Sequence, residues 1–367
     1  MRHRGVVDKP LALLIATLVV GGAMVFASAA FGILARGNVS IASVFFGHVV
    51  LGIGGGLALP LIGALIDYRH WRPLAPYLFV LAIVATAAVF IPHLGASHGG
   101  GRRWIVLLGV SLQPSEGLKI ATIVMAAAYF ATIRNRVETI SWGAGGFVAI
   151  LALPTLILVL EPDIGTLSVI CASVAAIFFV AGARLRDIGL LLIVGIIAIG
   201  VLAVERPYVR DRVMTFFYPA QGQLAEGYQI KQSLIAIGSG GLTGRGFGQS
   251  VQKFTYLPEP MGDSIFAVAA EELGFIGALA IVVLFLFLAL RGYVIAAHTH
   301  DPFGGLLAVG IATYLVSEAF VNIAAMLGLV PLTGIPLTFV SQGGSAILIS
   351  LASAGILLNI SRHAHRS

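Results

Sequence analysis

Apolar residues come in long runs along this chain, separated by short polar or glycine- and proline-rich breaks. A helix needs about 20 consecutive apolar residues to cross the hydrocarbon core of a bilayer. By that measure the pattern predicts ten spans, at 10–34, 41–66, 75–92, 113–133, 142–160, 164–182, 188–204, 264–290, 303–330 and 341–360. The fold class expected is therefore all-α, a polytopic membrane protein. Composition agrees, with 58% hydrophobic and 10% charged residues, against roughly 45–50% and 25% in a soluble domain. No shift in composition separates an anchor from a soluble part, so residues 1–367 are read as one domain.

Lys and Arg orient the spans, because cytoplasmic loops keep positive charge. With the N-terminus inside, the inner segments hold Arg2, Arg4, Lys9, Arg69, Arg72, Arg134, Arg136, Arg184, Arg186, Arg291, Arg362 and Arg366. The short outer loops hold only Arg36, Arg102 and Arg103. Both termini are then cytoplasmic, and the net charge of +6 follows from this bias without a nucleic-acid partner. The first apolar run continues past the small residues Ala27-Ser28-Ala29, which makes it too long for a cleaved signal and predicts an uncleaved first helix. A single cysteine, Cys171, excludes an intramolecular disulfide framework.

One connection, 205–262, is too long to be a simple loop. Its aromatic residues, among them Phe216, Tyr218, Tyr228, Phe254 and Tyr256, and its apolar positions predict short amphipathic or re-entrant helices at the outer surface. Such irregular backbone is tolerated at membrane depth where it lines a wet cavity. The glycines at 238, 240, 241, 244, 246 and 248 lack the Lys-Ser/Thr ending of a nucleotide loop and follow no strand. They leave two readings open, a close approach to a lipid diphosphate or a flexible turn.

The candidate chemistry starts at Asp263, a carboxylate placed just before the apolar run Ile265-Phe266-Ala267-Val268. Charges beside hydrocarbon are costly and often mark substrate paths, while Asp is also a good helix cap. Glu116 and Lys119 in QPSEGLK share a helix face and can pair. Arg102, Arg103 and Lys119 could alternatively hold an anionic head group. Glu161 and Asp163 stand at a proline corner, where Asp163 could cap the next helix. Glu271 and Glu272 lie two turns into the helix after Asp263, one expected in a structural pair and the other on a polar cavity wall. The uncharged loop 334–345 is expected to be an ordered turn. No G-x-S-x-G, H-E-x-x-H or C-x-x-C is present, so neither a common hydrolase nor a metal signature is read.

Taken in order, GRRWI…QPSEGLK, EPDIGT, GYQIKQSLIAIGSGGLTGRGFG, YLPEPMGDSIFAVAAEELGFIG and GIPLTFVSQGGS resemble the SEDS proteins of bacterial cell-wall synthesis, the FtsW/RodA/SpoVE group. VQKFTYLPE leans toward the division-type branch. The resemblance implies an inverting glycosyltransferase that polymerises lipid II into glycan strands at the outer face of the cytoplasmic membrane. It implies a class B penicillin-binding protein as transpeptidase partner, alongside other divisome or elongasome membrane proteins. Asp263 matches the family's essential aspartate and becomes the catalytic base. Arg103, Lys119 and Arg212 match basic family positions, and Lys253 is added as a further cation for the leaving diphosphate. Gln229, Gln232 and Ser233 in GYQIKQS, and Ser341 in the last motif, are taken as substrate-side positions. A divalent cation, Mg or Mn, is compatible with the family, but no ligand set can be read. Met261-Gly262 replace a His-Thr pair, and Thr338 and Gln342 replace a Pro and a Tyr. Two other functions stay open: a lipid II flippase, for which Glu116, Lys119, Glu271 and Glu272 could begin a polar path, and a non-catalytic scaffold for the transpeptidase.

Overall fold

In a computed structural model, described here for residues 7–35, 66–98, 101–107, 110–218 and 225–364, the chain is mostly helical. Helix α1 covers Lys9–Ala35 and α2 Trp71–Ala87, the latter flanked by short 3-10 turns. Next come α3 (Pro114–Thr132), α4 (Ala144–Leu160), α5 (Ile164–Val180) and α6 (Leu185–Glu205). The long connection contains α7 (Pro207–Phe217), α8 (Ala225–Ser239) and the single turn α9 (Gln252–Thr255), and the chain ends with α10 (Ile265–Ala297), α11 (Pro302–Met326) and α12 (Gly344–Ser361). Among the described residues six helices are long and apolar enough to cross a membrane, while α4 and α5 are apolar but shorter, at 17 residues each. The expected span at 41–66 lies almost wholly outside the described residues.

Local chemistry explains where these helices start. Proline occupies the first turn of α3, α7 and α11, where its missing N–H costs nothing. Asp8, Asp163 and Asp301 accept from the backbone amides of Leu11, Thr166 and Gly304 at 2.9, 3.3 and 3.2 Å. Each ties up an orphan donor at a helix start, worth about 1 kcal/mol. Asp8 also pairs with Arg291 at 2.6 Å, which joins the start of α1 to the far end of α10.

Helix α11 forms the hub, packed on by α3, α5, α8, α10 and α12, and nearly all of its length is buried. Helix α6 is the opposite case. Of its residues only Asp187 is buried, so its apolar side chains face outward, as suits hydrocarbon.

Two features depart from the all-α expectation. Residues Gly95–His98 (β1), Gly101–Leu107 (β2) and Val110–Leu112 (β3) form a three-stranded antiparallel sheet. Its register pairs Ala96 with Trp104 and Ser97 with Arg102, so Arg103 is the extra residue of a bulge, a device that re-aims a side chain. The second departure is a break in α10 at Gly274 (φ 69°, ψ −169°). The amides of Phe275 and Ile276, freed by the break, donate to the carbonyls of Gly241 and Leu242. The carbonyls of Glu271 and Glu272 accept from Arg245 and Gly246. A broken helix is sustained in this way when other backbone re-satisfies its polar groups.

That arrangement assigns Gly240 and Gly244 of the glycine cluster a packing role. A Cβ on Gly240 would stand 2.2 Å from the Ala270 carbonyl, and one on Gly244 2.1 Å from that of Glu272. No side chain fits at either position, because the loop is laid directly on the helix backbone.

Candidate active site

The turn that carries Asp263 is built from YLPEPMGD. Glu259, between two prolines, takes a positive φ of 44°, and its carbonyl accepts from the amides of Gly262 and Ser264. Strained non-glycine backbone of this kind persists only where the surroundings over-determine it. Here they do so through the loop 334–345. Ser341 Oγ donates to the Gly262 carbonyl at 2.8 Å and accepts from the Leu337 amide at 2.7 Å. The Gln342 amide donates to the Met261 carbonyl at 2.7 Å. Asn322, from α11, donates to the carbonyls of both Asp263 and Ile335 at 2.8 Å.

Asp263 is not the cap of α10: the N-cap residue is Ser264, with no side-chain capping bond. The residue as a whole is half-buried, with Oδ2 above the open face of Gly334, 3.6 Å from where a Cβ would stand. Gly334 has φ +70°, a conformation other residues rarely adopt. Desolvation pushes the Asp263 carboxyl up to about 7; Glu259 and Asp163 add to the rise, and Arg212 and Arg103 oppose it. A carboxylate with this affinity can exchange a proton near neutral pH.

The cations around it differ in how far they are committed. Arg103 donates to the carbonyls of Glu161 (3.2 Å) and Pro162 and to the Tyr208 hydroxyl (3.2 Å), and lies 3.9 Å from Asp163. Arg212 lies over the ring of the same Tyr208, 4.3 Å from its centroid. The pair thus joins the sheet, the α4–α5 corner and α7 beside Asp263. Gln229 donates to Ser264 Oγ at 3.0 Å, Ser233 reaches Met326 Sδ at 3.4 Å, and Gln232 stands half-buried on the same helix.

Lys253 is a correction. It is 0% exposed, with its amine 2.6 Å from Glu272, 2.7 Å from Ser28 and 3.0 Å from the Gly248 carbonyl. A buried amine needs a counter-charge, and Glu272 supplies it, so Lys253 fastens the loop to α1 and α10. The expectation of a cavity wall for one of the two glutamates also fails. Glu271 accepts from Ser250 Oγ at 2.6 Å and from the amides of Val251 and Gln252 at 3.1 and 3.3 Å, so both glutamates are structural.

Deeper in the bundle, Lys119 Nζ lies 2.9 Å from Glu116 Oε2 and donates to Glu318 Oε1 at 2.6 Å. The pairing expected at Glu116 and Lys119 is thus a triad, with Tyr314 beneath the amine at 5.0 Å. Thr338 donates to the Leu315 carbonyl at 3.0 Å and stands 3.4 Å from Glu318, bonds that a proline could not make. Gln342 is exposed and contributes through its backbone, so its side-chain identity does not disturb the turn.

At the α4–α5 corner Asp163 caps α5 and takes bonds from Thr166, Gln113 and Ser115. Glu161 beside it is 1% exposed, and both carboxyl oxygens lack a hydrogen-bond partner among the described residues. Burial lifts its carboxyl to about 8; Asp163 adds to the rise, and Arg103 opposes it. Because the folded-state value lies above the ordinary 4.5, its contribution to stability is full at low pH and is lost as pH climbs toward 8. Thermal unfolding of Glu161→Gln is accordingly expected to gain on wild type between about pH 5 and 8 and to run parallel above that. A difference that does not change with pH would refute the assignment.

Among the described residues no three His, Cys, Asp or Glu side chains converge to hold a metal ion.

Comparison with known proteins agrees with this architecture. The model of the FtsW/RodA/SpoVE family, described as a cell cycle protein, matches residues 9–366. Stage V sporulation protein E of Bacillus subtilis is 39% identical over 298 residues, 81% of each chain. A probable peptidoglycan glycosyltransferase FtsW of Trichlorobacter lovleyi is 37% identical over 354 residues, covering 96% of this chain and 93% of that one. A chain from a solved peptidoglycan synthase complex that coordinates polymerization and crosslinking superposes with a TM-score of 0.75 at 25% identity, covering 98% and 99% of the two chains. The rod shape determining protein RodA of Thermus thermophilus shares the fold with a TM-score of 0.70 at 24% identity, covering 98% of each chain.

Proposed function

The chain belongs to the FtsW/RodA/SpoVE family, and from that premise we propose that it is a peptidoglycan glycosyltransferase with Asp263 as its base. The observation that carries this reading is the state of Asp263. Its turn is held by side-chain donors from two other segments to main-chain carbonyls, and the residue is spent on no cap and tuned to about 7 by desolvation with two guanidinium groups nearby.

The substrate is lipid II, a disaccharide-peptide carried on a lipid diphosphate. The 4-hydroxyl of one sugar attacks the anomeric carbon of another, and Asp263 accepts the hydroxyl proton as the new C–O bond forms. The anomeric C–O bond to the diphosphate breaks with inversion through an oxocarbenium-like transition state, and the diphosphate leaves with the electron pair. Arg103 and Arg212, whose charges act on Asp263, are the cations this reading assigns to that departure. Their contacts to the corner and to Tyr208 hold them pre-aimed, which lowers the cost of reorganisation.

The positive-inside pattern supports ten spans with both termini cytoplasmic and Asp263 facing outward, in the cytoplasmic membrane. The relation to a synthase complex supports a class B penicillin-binding protein as partner, and the outward-facing apolar α6 offers it room to pack. A flippase would need an open polar path through the middle of the bundle. The charges there are closed on one another at Glu116, Lys119 and Glu318, which favours polymerisation.

The test is a pH–rate profile of lipid II polymerisation by the purified protein. A base works as its carboxylate, so kcat/KM is expected to rise about tenfold per unit up to about pH 7 and to level off above. A flat profile between about pH 5 and 8 would remove Asp263 as the base.

A further inference from the structure

At the end of the bundle opposite Asp263, where α3, α5 and α10 finish and α11 begins, the helices part to leave a cavity of about 380 Å³. Its floor is apolar, set by the buried Phe130, Leu306 and Val309. Val180 forms part of the wall and is 53% exposed, so the cavity opens sideways, toward the surroundings of the bundle. Arg134 and His300 stand at the rim, both exposed, and no carboxylate lines the cavity among the described residues. The nearby Asp301 is turned to the start of α11, where it accepts from the Gly304 amide.

We propose that this groove holds one anionic phospholipid, its acyl chain along the apolar floor and its phosphate against Arg134 and His300. The charge and the shape make separate demands. An arginine facing a cavity without carboxylates favours an anion and can hold a phosphate with two parallel donors. A soluble phosphate, however, gains nothing from Phe130, Leu306 and Val309, and a zwitterionic lipid brings no net charge to Arg134. Only a ligand with both a hydrocarbon chain and a negative head uses the whole surface. Basic pockets between membrane helices recognise anionic head groups by this combination, and the volume falls in the range of ordinary ligand sites. The site is separated from Asp263 by the full length of α10, so its occupancy is a property distinct from lipid II polymerisation.

The test uses the full-length protein in nanodiscs of equal phosphatidylglycerol and phosphatidylcholine. It is extracted gently and weighed by native mass spectrometry for retained lipid. Wild type is expected to keep one phosphatidylglycerol in preference to phosphatidylcholine. Arg134→Gln, which removes the charge, and Ala297→Phe, which crowds the groove, should each lower that retention about tenfold. Arg134 and Ala297 are both exposed, and melting in pure phosphatidylcholine checks that each variant is folded. Equal retention of the two lipids by wild type overturns the proposal, as does unchanged retention in a folded Arg134→Gln. Displacement of the lipid by about 10 mM inorganic phosphate would show a simple anion site and overturn it as well.

Discussion

Asp263→Asn is expected to lower glycan polymerisation by about 10²- to 10⁴-fold, the range carried by a positioned general base, while leaving the protein folded. Asparagine keeps the size of the side chain but cannot take up the proton. The bonds that hold the turn come from Asn322, Ser341 and the Gln342 amide to main-chain carbonyls, and none of them depends on the Asp263 carboxylate. Desolvation raises the affinity of this carboxylate for its proton, so its charge opposes folding at neutral pH, and the Asn variant should melt no lower than wild type. That combination, lost turnover with undiminished stability, separates a catalytic carboxylate from a structural one. A destabilised Asn variant, or one that polymerises within about threefold of wild type, contradicts it.

The second large effect is on stability. Lys119→Met removes the one cation between Glu116 and Glu318, whose carboxylates lie 2.9 and 2.6 Å from its amine. Breaking a buried ion pair from one side costs about 3–5 kcal/mol, because the partner charge stays buried without compensation. Lys119→Met is therefore expected to melt well below wild type or to fail to purify as a single species. Glu318→Gln leaves one acid to one base and should be the milder change. The triple variant Lys119→Met, Glu116→Gln, Glu318→Gln should recover most of the loss, since no charge remains. Thermal unfolding in detergent orders the three; a Lys119→Met protein as stable as wild type would mean that the triad does not hold the helices together.

Most of the long helices could be read from sequence, because an apolar run is a one-dimensional signal. Asp263 was legible for the same reason, as a charge at the edge of such a run. Asn322, which holds its main chain, and Glu318, which closes the buried triad, were not. Glu318 and Asn322 sit in a helix whose neighbours are apolar, and Glu318 meets Lys119 from 199 residues away. A faint signal existed: they are four residues apart, on one face of α11, and two polar side chains on one face of a membrane helix imply buried partners. Lys253 shows the converse limit. A cation in a glycine-rich loop suggests a phosphate ligand, and only the folding of that loop onto the break at Gly274 brings it to Glu272. Two of the three strands were also within reach, since Trp104-Ile105-Val106 and Val110-Ser111-Leu112 are short β-type runs around a glycine.

The most direct measurement is polymerisation of purified lipid II in detergent by this protein with the transpeptidase proposed as its partner, wild type beside Asp263→Asn, with products resolved by length. No membrane has to be crossed in that assay, so a pure transporter yields nothing. The account predicts long glycan strands from wild type and only unreacted lipid II from the Asn variant. Strands of equal length and rate from both would contradict it.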